Sequence, residues 1–172
     1  HIEDLIPGKH FLGHKDRMCT KEQAVDRIKA IVDARTDPDF VIIARSDAIN
    51  VSTFDEAVER VNAYAEAGAD LLFLPYLEPQ DTKKAVDALS KPLLNVVIDT
   101  PKEEVEQAGL KVGIYPIQSL FITYKAVRDM AKELKATGTV ADYAQRTPSW
   151  DEFNEFIGTR EATQLAEKYR IV

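Results

Sequence analysis

The sequence predicts a parallel α/β protein that forms a piece of a (β/α)8 barrel. Short apolar runs alternate with amphipathic helices along the chain, and such alternation produces a parallel sheet with right-handed crossovers. The length of 172 residues favours an open doubly wound sheet, because a complete barrel needs about 250 residues. However, the chain opens on Ile2-Glu3-Asp4, which has the character of a strand ending. We therefore expect a C-terminal piece of a larger barrel.

Four buried strands are predicted after this opening segment. Each is short, continuously apolar and rich in β-branched or aromatic residues, as expected for a sheet that is covered on both faces. The predicted strands cover residues 40–45, 69–74, 92–98 and 111–115.

Helix signals lie between these strands. Capping residues mark three starts: Thr20 with Gln23, Thr53 with Glu56, and Thr100 before Pro101. Gly68 and Gly109 occupy places where a left-handed residue closes a helix. The longest predicted helix covers 117–136, and shorter helices follow near 149–157 and 160–169. We therefore divide the chain into a partial barrel, 1–137, and a helical extension, 138–172.

The composition excludes several classes of protein. Lysine and arginine total 22 against 29 acidic residues, and the net charge of −7 makes a nucleic-acid partner unexpected. No apolar run reaches the roughly 20 residues that span a bilayer, and the first residues do not resemble a signal peptide. Cys19 is the only cysteine, which excludes an intrachain disulfide and a cysteine-based zinc cluster. A cytoplasmic location is the default expectation.

Candidate functional residues follow the strands, because ligands of parallel α/β folds bind at the carboxyl ends of the strands. The polar and special residues at these places are Glu3, Asp4, Arg45, Ser46, Asp47, Pro75, Tyr76, Asn95, Asp99, Pro116 and Ser119. Carboxylates and an arginine around one mouth suit a divalent cation such as Mg²⁺ together with an anionic ligand. The alternative for each acid is a helix cap or a structural ion pair.

The segment 7–17 is a second candidate, since it places histidines, basic residues and glycines between a strand and a helix. Histidine acts near neutral pH as an acid, a base or an oxyanion donor. Gly8 and Gly13 would let the segment move as a lid. The alternative is a solvated basic loop.

At these positions the chain resembles the isocitrate lyase and phosphoenolpyruvate mutase superfamily. Ile2-Glu3-Asp4 resembles the ending of the family's strand four, and 7–14 resembles its mobile catalytic loop. The stretches 39–47, 62–70 and 112–116 resemble the later strands and helices, in the same order and at the same spacings. The resemblance implies a TIM barrel of which this chain covers strands 4–8 and the C-terminal helices.

The resemblance also implies an activity. It predicts a Mg²⁺-dependent carbon–carbon lyase, or a decarboxylase or hydrolase, that acts on small oxo- or hydroxy-carboxylates through an enolate. Arg45 would bind the substrate carboxylate and take part in catalysis, and Glu3 would hold the metal through water. Related enzymes are usually tetramers, so a homo-oligomer is expected, with the helices after Gly138 packing on a partner subunit or on the chain itself.

The remaining site predictions concern the loop and the fourth predicted strand. Lys9 and His14 are assigned catalytic roles in the gating loop, and Gly13 is assigned to substrate binding. Asn95, near the end of its strand, is a further candidate for substrate binding, although it does not align cleanly with the family's asparagine.

The chain departs from the family at two places. The lyase branch carries its acid cysteine where this chain has Phe11 or Leu12, and Cys19 is expected to pack as a small apolar residue. Pro75 stands where lyases have a glutamate and the mutase-like branch has a histidine. Two alternatives therefore stay open: a phosphonopyruvate-type mutase or hydrolase, and a non-catalytic homologue that binds a carboxylate.

Overall fold

The computed structural model describes residues 1–6 and 18–170. In these residues strands and helices alternate as the sequence predicts. The strands are β1 (Ile2–Glu3), β2 (Ile43–Arg45), β3 (Leu71–Phe73), β4 (Leu93–Val96) and β5 (Val112–Ile114). The helices are α1 (Lys21–Ala34), α2 (Ala48–Val51), α3 (Phe54–Glu66), α4 (Pro79–Ala88), α5 (Lys102–Gln107), α6 (Gln118–Thr137), α7 (Ala141–Ala144), α8 (Trp150–Phe156) and α9 (Thr159–Lys168).

The strands form one parallel sheet in the order β1-β2-β3-β4-β5. Its register places Glu3 beside Arg45, Arg45 beside Phe73, and Phe73 beside Leu94. Because paired residues of neighbouring strands point to the same face, these four side chains form one row across the sheet. Glu3, Arg45 and Phe73 are the last residues of their strands, so this part of the row lies at the carboxyl edge of the sheet, where a barrel binds its ligands.

The opposite face of the sheet carries the main core. Its strand residues are Ala44, Leu72 and Leu93, and they belong to one apolar cluster with Ile28 of α1 and Val61 of α3. All five are at most 2% exposed. A smaller cluster around Phe73, Leu94 and Val96 lies on the face that carries Arg45. Burial on both faces explains why β3 and β4 are continuously apolar, whereas β5, predicted to be buried, exposes Val112.

Local signals explain where the helices start and end. The predicted capping box of Thr20 and Gln23 forms, but that of Thr53 forms only in part, because the Glu56 carboxylate binds Ser52 and Arg60 instead. The cap expected at Thr100 is wrong: Pro101 itself precedes the first turn of α5, without a side-chain hydrogen bond. Helices α2 and α7 were not predicted, since a four-residue helix has too few positions to show a period.

The chain divides into two compact units, His1–Gln118 and Ser119–Val172. The boundary between these units falls near the start of α6, and the predicted domain division after residue 137 stays a prediction. The second unit exposes large apolar side chains, among them Leu120, Phe121, Trp150 and Phe156. No helix in the described parts of the chain is long and apolar enough to cross a membrane.

Candidate active site

Arg45 is the centre of the candidate site, and its guanidinium is held in one orientation. Its Nε donates to Asp47 Oδ2 over 2.9 Å and its Nη2 donates to Asp47 Oδ1 over 2.7 Å. The Phe73 ring lies under the guanidinium, with 5.0 Å between Arg45 Cζ and the ring centroid. Glu3 Oε2 is 3.5 Å from Nε. Bidentate pairing and ring contact restrict the guanidinium far more than a single ion pair does.

This arrangement leaves one part of the guanidinium for a ligand. Asp47 occupies Nε and Nη2, and among the described residues no hydrogen bond reaches Nη1. Arg45 as a whole is only 8% exposed. A carboxylate that binds at Nη1 would meet a donor that is already oriented and partly desolvated, and such donors bind anions more strongly than solvated ones.

Asp4 lies behind this cluster, on the helix-facing side of the sheet. It is 2% exposed. Its Oδ2 accepts from Ser46 Oγ at 2.6 Å and from Tyr64 OH at 2.9 Å, and its Oδ1 accepts the backbone N–H of Asp47 at 3.0 Å. Asp4 and Glu3 are adjacent in sequence and point to opposite faces of the sheet. Asp4 is therefore satisfied by protein groups, while Glu3 lies beside Arg45.

Two residues of α3 complete the surroundings of Asp4. Arg60 Nη1 is 3.7 Å from Asp4 Oδ2, and the same nitrogen donates to the backbone oxygen of Cys19 at 3.1 Å. Burial, followed by the charge of Asp4, raises the pKa of the Tyr64 phenol far above its usual range. Tyr64 therefore stays protonated and donates to Asp4 at any physiological pH.

The residues that flank the segment 7–17 are attached to the same network. Leu5 pairs with Met18 in an antiparallel bridge, and Cys19 N–H donates to the backbone oxygen of Asp4 at 2.8 Å. Burial raises the pKa of the Cys19 thiol, in agreement with its expected packing as a small apolar residue. The predicted loop residues Lys9, Gly13 and His14 lie outside the described residues.

Asn95 is not brought to Arg45. It occupies the helix-facing side of β4, between Leu94 and Val96 of the other face. Its amide donates to the backbone oxygen of Leu77 at 2.9 Å and accepts the Leu77 N–H at 3.2 Å. These bonds tie the loop after β3 to β4. The assignment of Asn95 to substrate binding stays a prediction.

The end of β3 carries the strained backbone of this region. Pro75 is buried, and Tyr76 after it has φ of +64° and is 53% exposed. A non-glycine residue in the left-handed region is uncommon, and such strain concentrates at functional sites. The strained residue therefore directly follows Pro75, at the carboxyl end of β3.

The described residues do not contain a complete metal centre. No group of three or more histidine, cysteine, aspartate or glutamate side chains that could hold a metal occurs in them. Glu3 lies in the row of side chains that also carries Arg45, on the face of the sheet opposite to Asp4. Its position fits a contact with a metal-bound water and not a set of direct ligands.

Sequence reasoning proposed Arg45 and Glu3 but missed the residues that hold Arg45. Asp47 was considered only as a residue after the strand, and Phe73 was counted as part of a buried strand. A signal for Asp47 existed, because residues two apart at a strand end point to the same side. Phe73 required the register of two strands, which only the structure provides.

Five parallel strands in sequential order, with helices between them, are typical of part of a (β/α)8 barrel, and Arg45 lies at the carboxyl ends of the strands, where such barrels bind their ligands. The comparisons agree with this class. A family model described as phosphoenolpyruvate phosphomutase matches residues 1–135, and the chain belongs to this family.

Curated relatives cover almost the whole chain. It is 34% identical over 178 residues to 2,3-dimethylmalate lyase from Eubacterium barkeri, an alignment that covers 98% of this chain and 61% of the relative. It is 36% identical over 166 residues to 2-methylisocitrate lyase from Escherichia coli strain K12, covering 91% of this chain and 56% of the relative. The chain thus spans less than two thirds of the length of these relatives.

Solved structures show the same fold. Oxaloacetate acetylhydrolase in complex with the inhibitor 3,3-difluorooxalacetate superposes with a TM-score of 0.81 at 28% identity, over 98% of this chain and 60% of the other. Phosphonopyruvate hydrolase in complex with oxalate and Mg²⁺ superposes with a TM-score of 0.80 at 25% identity, over 98% and 61%. The five strands are accordingly the C-terminal part of a barrel of the phosphoenolpyruvate mutase and isocitrate lyase superfamily.

Proposed function

We propose that this chain carries the carboxylate-binding half of a Mg²⁺-dependent enzyme that makes or breaks a bond next to the enolate of a small oxo- or hydroxy-carboxylate. The reaction class is that of a carbon–carbon lyase, or of a decarboxylase or hydrolase. The observation that carries the proposal is the guanidinium of Arg45, which Asp47 and Phe73 hold at the ligand-binding edge of the sheet with Nη1 left for a ligand.

Arg45 would act in two ways. Its Nη1 donates to the substrate carboxylate and sets the orientation of the bond that reacts. Its charge lies close to the oxygen on which negative charge grows when an enolate forms, and a donor that is already oriented needs no reorganisation at that moment. Asp47 keeps the guanidinium from rotating, so the binding geometry is the same before and after the chemical step.

Mg²⁺ is part of the proposal because the solved phosphonopyruvate hydrolase holds it together with oxalate. When bound, the cation would stabilise developing negative charge on oxygen as a Lewis acid. Glu3 would accept a hydrogen bond from a water of the cation, beside Arg45. The negative charge of Glu3 would also offset part of the positive charge that Arg45 and the cation bring to the substrate.

Lys9, Gly13 and His14 remain assigned to a gating loop, with His14 and Lys9 as candidate proton carriers or oxyanion donors. The support is positional: on either side of this segment, Leu5 pairs with Met18, and Cys19 donates its N–H to the backbone oxygen of Asp4. We also propose a homo-oligomer in which the apolar residues of α6 and α8 are covered by other protein surface.

Turnover of a small panel tests the function. Oxaloacetate, 2-methylisocitrate, 2,3-dimethylmalate and phosphonopyruvate are each assayed with and without Mg²⁺, using the wild-type chain and Arg45→Ala. We expect Mg²⁺-dependent turnover of at least one carboxylate and its loss in Arg45→Ala. Arg35→Ala is the matched control, because Arg35 forms an ion pair with Asp70 over 2.8 Å at the opposite, amino-terminal edge of the strands.

The same panel separates the alternatives. Turnover of phosphonopyruvate alone would favour a mutase or hydrolase, the class of the solved structure that contains oxalate. Binding of carboxylates to the wild-type chain without turnover of any panel member would favour a non-catalytic homologue. Equal turnover by the wild-type chain and Arg45→Ala would contradict the proposal.

A further inference from the structure

Asp4 connects three parts of the molecule around the candidate site: the end of β2 with the loop after it, helix α3, and the backbone at Cys19. Its carboxylate accepts from Ser46 and Asp47 of the loop after β2 and from Tyr64 of α3. Its backbone N–H donates to the carbonyl of Arg45, and its backbone oxygen accepts the N–H of Cys19. Its side chain and its backbone therefore both bond to the segment that contains the guanidinium.

We infer that Asp4 is a positioning residue for the carboxylate-binding guanidinium of Arg45, acting through Asp47. This inference rests on the proposed function and adds residues on the far side of the sheet to the binding machinery. Asp4 itself does not face the ligand, since it lies on the helix-facing side and is 2% exposed.

The path from Asp4 to the ligand is short. Asp4 Oδ1 fixes the backbone N–H of Asp47 at 3.0 Å, and the Asp47 carboxylate then binds Nε and Nη2 of Arg45 at 2.9 and 2.7 Å. Ser46 Oγ, which donates to Asp4, also accepts the N–H of Ala48 at 3.2 Å and so fixes the first turn after the strand. A change at Asp4 must therefore move the backbone that carries the partner of Arg45.

Tyr64 and Arg60 explain why a carboxylate suits this buried place. The phenol donates to Oδ2, and the guanidinium of Arg60 is 3.7 Å away. A buried carboxylate is stable only where donors and opposite charge surround it. Replacement by asparagine turns one acceptor into a donor, which would face a hydroxyl or an N–H that also donates.

The test compares Asp4→Asn with Tyr64→Phe, which keeps the ring and deletes one donor. The readouts are the ¹H–¹⁵N signals of Arg45 Nε and of the Asp47 amide, and the dissociation constant of oxalate in the presence of Mg²⁺. Asp70→Asn is the matched control, because Asp70 also accepts a backbone N–H, from Ile42 at 2.9 Å, and an arginine. All measurements are made at a temperature at which circular dichroism shows each variant folded.

We expect Asp4→Asn to shift both signals and to raise the dissociation constant of oxalate at least tenfold. Tyr64→Phe should raise it about threefold, and it carries the test alone if Asp4→Asn does not fold. Asp70→Asn should leave the Arg45 signal and the oxalate affinity unchanged. A purely structural role of Asp4 would lower the stability of Asp4→Asn without moving the Arg45 signal.

Unchanged Arg45 and Asp47 signals in Asp4→Asn, or in Tyr64→Phe where only that variant folds, would overturn the inference. Failure of the proposed function is seen separately, in the wild-type chain. If that chain neither binds oxalate nor turns over the panel, the proposed function is wrong, and the two signals still decide whether Asp4 positions Arg45.

Discussion

Removal of Asp47 should destabilise the fold by an amount that follows from the burial of the ion pair. The side chains of Arg45 and Asp47 are 9% and 12% exposed, and two hydrogen bonds join them. Asp47→Ala leaves the guanidinium buried with Glu3, 3.5 Å from Nε, as its remaining counter-charge within residues 1–6 and 18–170. Breaking a buried pair costs about 3–5 kcal/mol, and the residual attraction of Glu3 places the expected loss near 3 kcal/mol.

A double-mutant cycle separates this charge effect from lost packing. In Arg45→Met combined with Asp47→Ala no guanidinium is left without its partner. We therefore expect the double variant to lose less stability than the sum of the two single variants, by about 1–3 kcal/mol.

Urea unfolding followed by circular dichroism measures these changes. With an m value of about 2 kcal/mol/M, a loss of 3 kcal/mol lowers the midpoint by roughly 1.5 M. Asp70→Ala is the control: its pair with Arg35 is more exposed, at 40% and 23%, and should contribute less than about 1 kcal/mol. A loss below about 1 kcal/mol for Asp47→Ala, or additive effects in the cycle, would show that the Arg45–Asp47 pair does not stabilise the fold as a buried ion pair.

Three further predictions concern other parts of the network. Burial raises the pKa values of Cys19 and Tyr64 in the folded state, so the unfolded chain loses these protons first as pH rises. The free energy of unfolding, measured by urea unfolding at stepped pH, should therefore fall from about pH 9 upward. It should fall less steeply in a Cys19→Ala variant. Asn95→Ala should lower stability by about 2–3 kcal/mol, since it leaves the Leu77 backbone groups unpaired, while calorimetry should show oxalate affinity within twofold of the wild type. Gly68→Ala should lower the melting temperature, because Gly68 has φ of +110° and an added Cβ would lie 2.8 Å from a methyl group of Val32.

The fold class could be predicted from the sequence because it depends on the spacing of apolar residues and on the capping residues between the apolar runs. The edge at which ligands are expected to bind follows from the fold class. Apolar runs separated by capped helices predict a parallel sheet wherever the exact strand ends fall. The sequence places Glu3 and Arg45 at strand ends, which converge in this fold, and the structure pairs the two residues across β1 and β2.

The details of the site depended on facts that a linear pattern does not contain. Whether a residue faces the ligand or the helices changes with each step along a strand, and Glu3 and Asp4 differ by that one step. The side on which Asn95 lies could not be predicted for the same reason, since it is one residue from side chains of the other face. Tyr64 was hidden because a buried tyrosine on a helix has the same pattern as an ordinary core residue.

Titration of oxalate into the chain with Mg²⁺ present is the most direct test of whether Arg45 binds the carboxylate of the ligand. We predict binding to the wild-type chain, and a loss of more than tenfold in Arg45→Ala, which is more than about 1.4 kcal/mol. Arg35→Ala should bind as the wild type does. Equal affinity of oxalate for the wild-type chain and Arg45→Ala would show that the guanidinium beside Asp47 and Phe73 is not where the ligand binds.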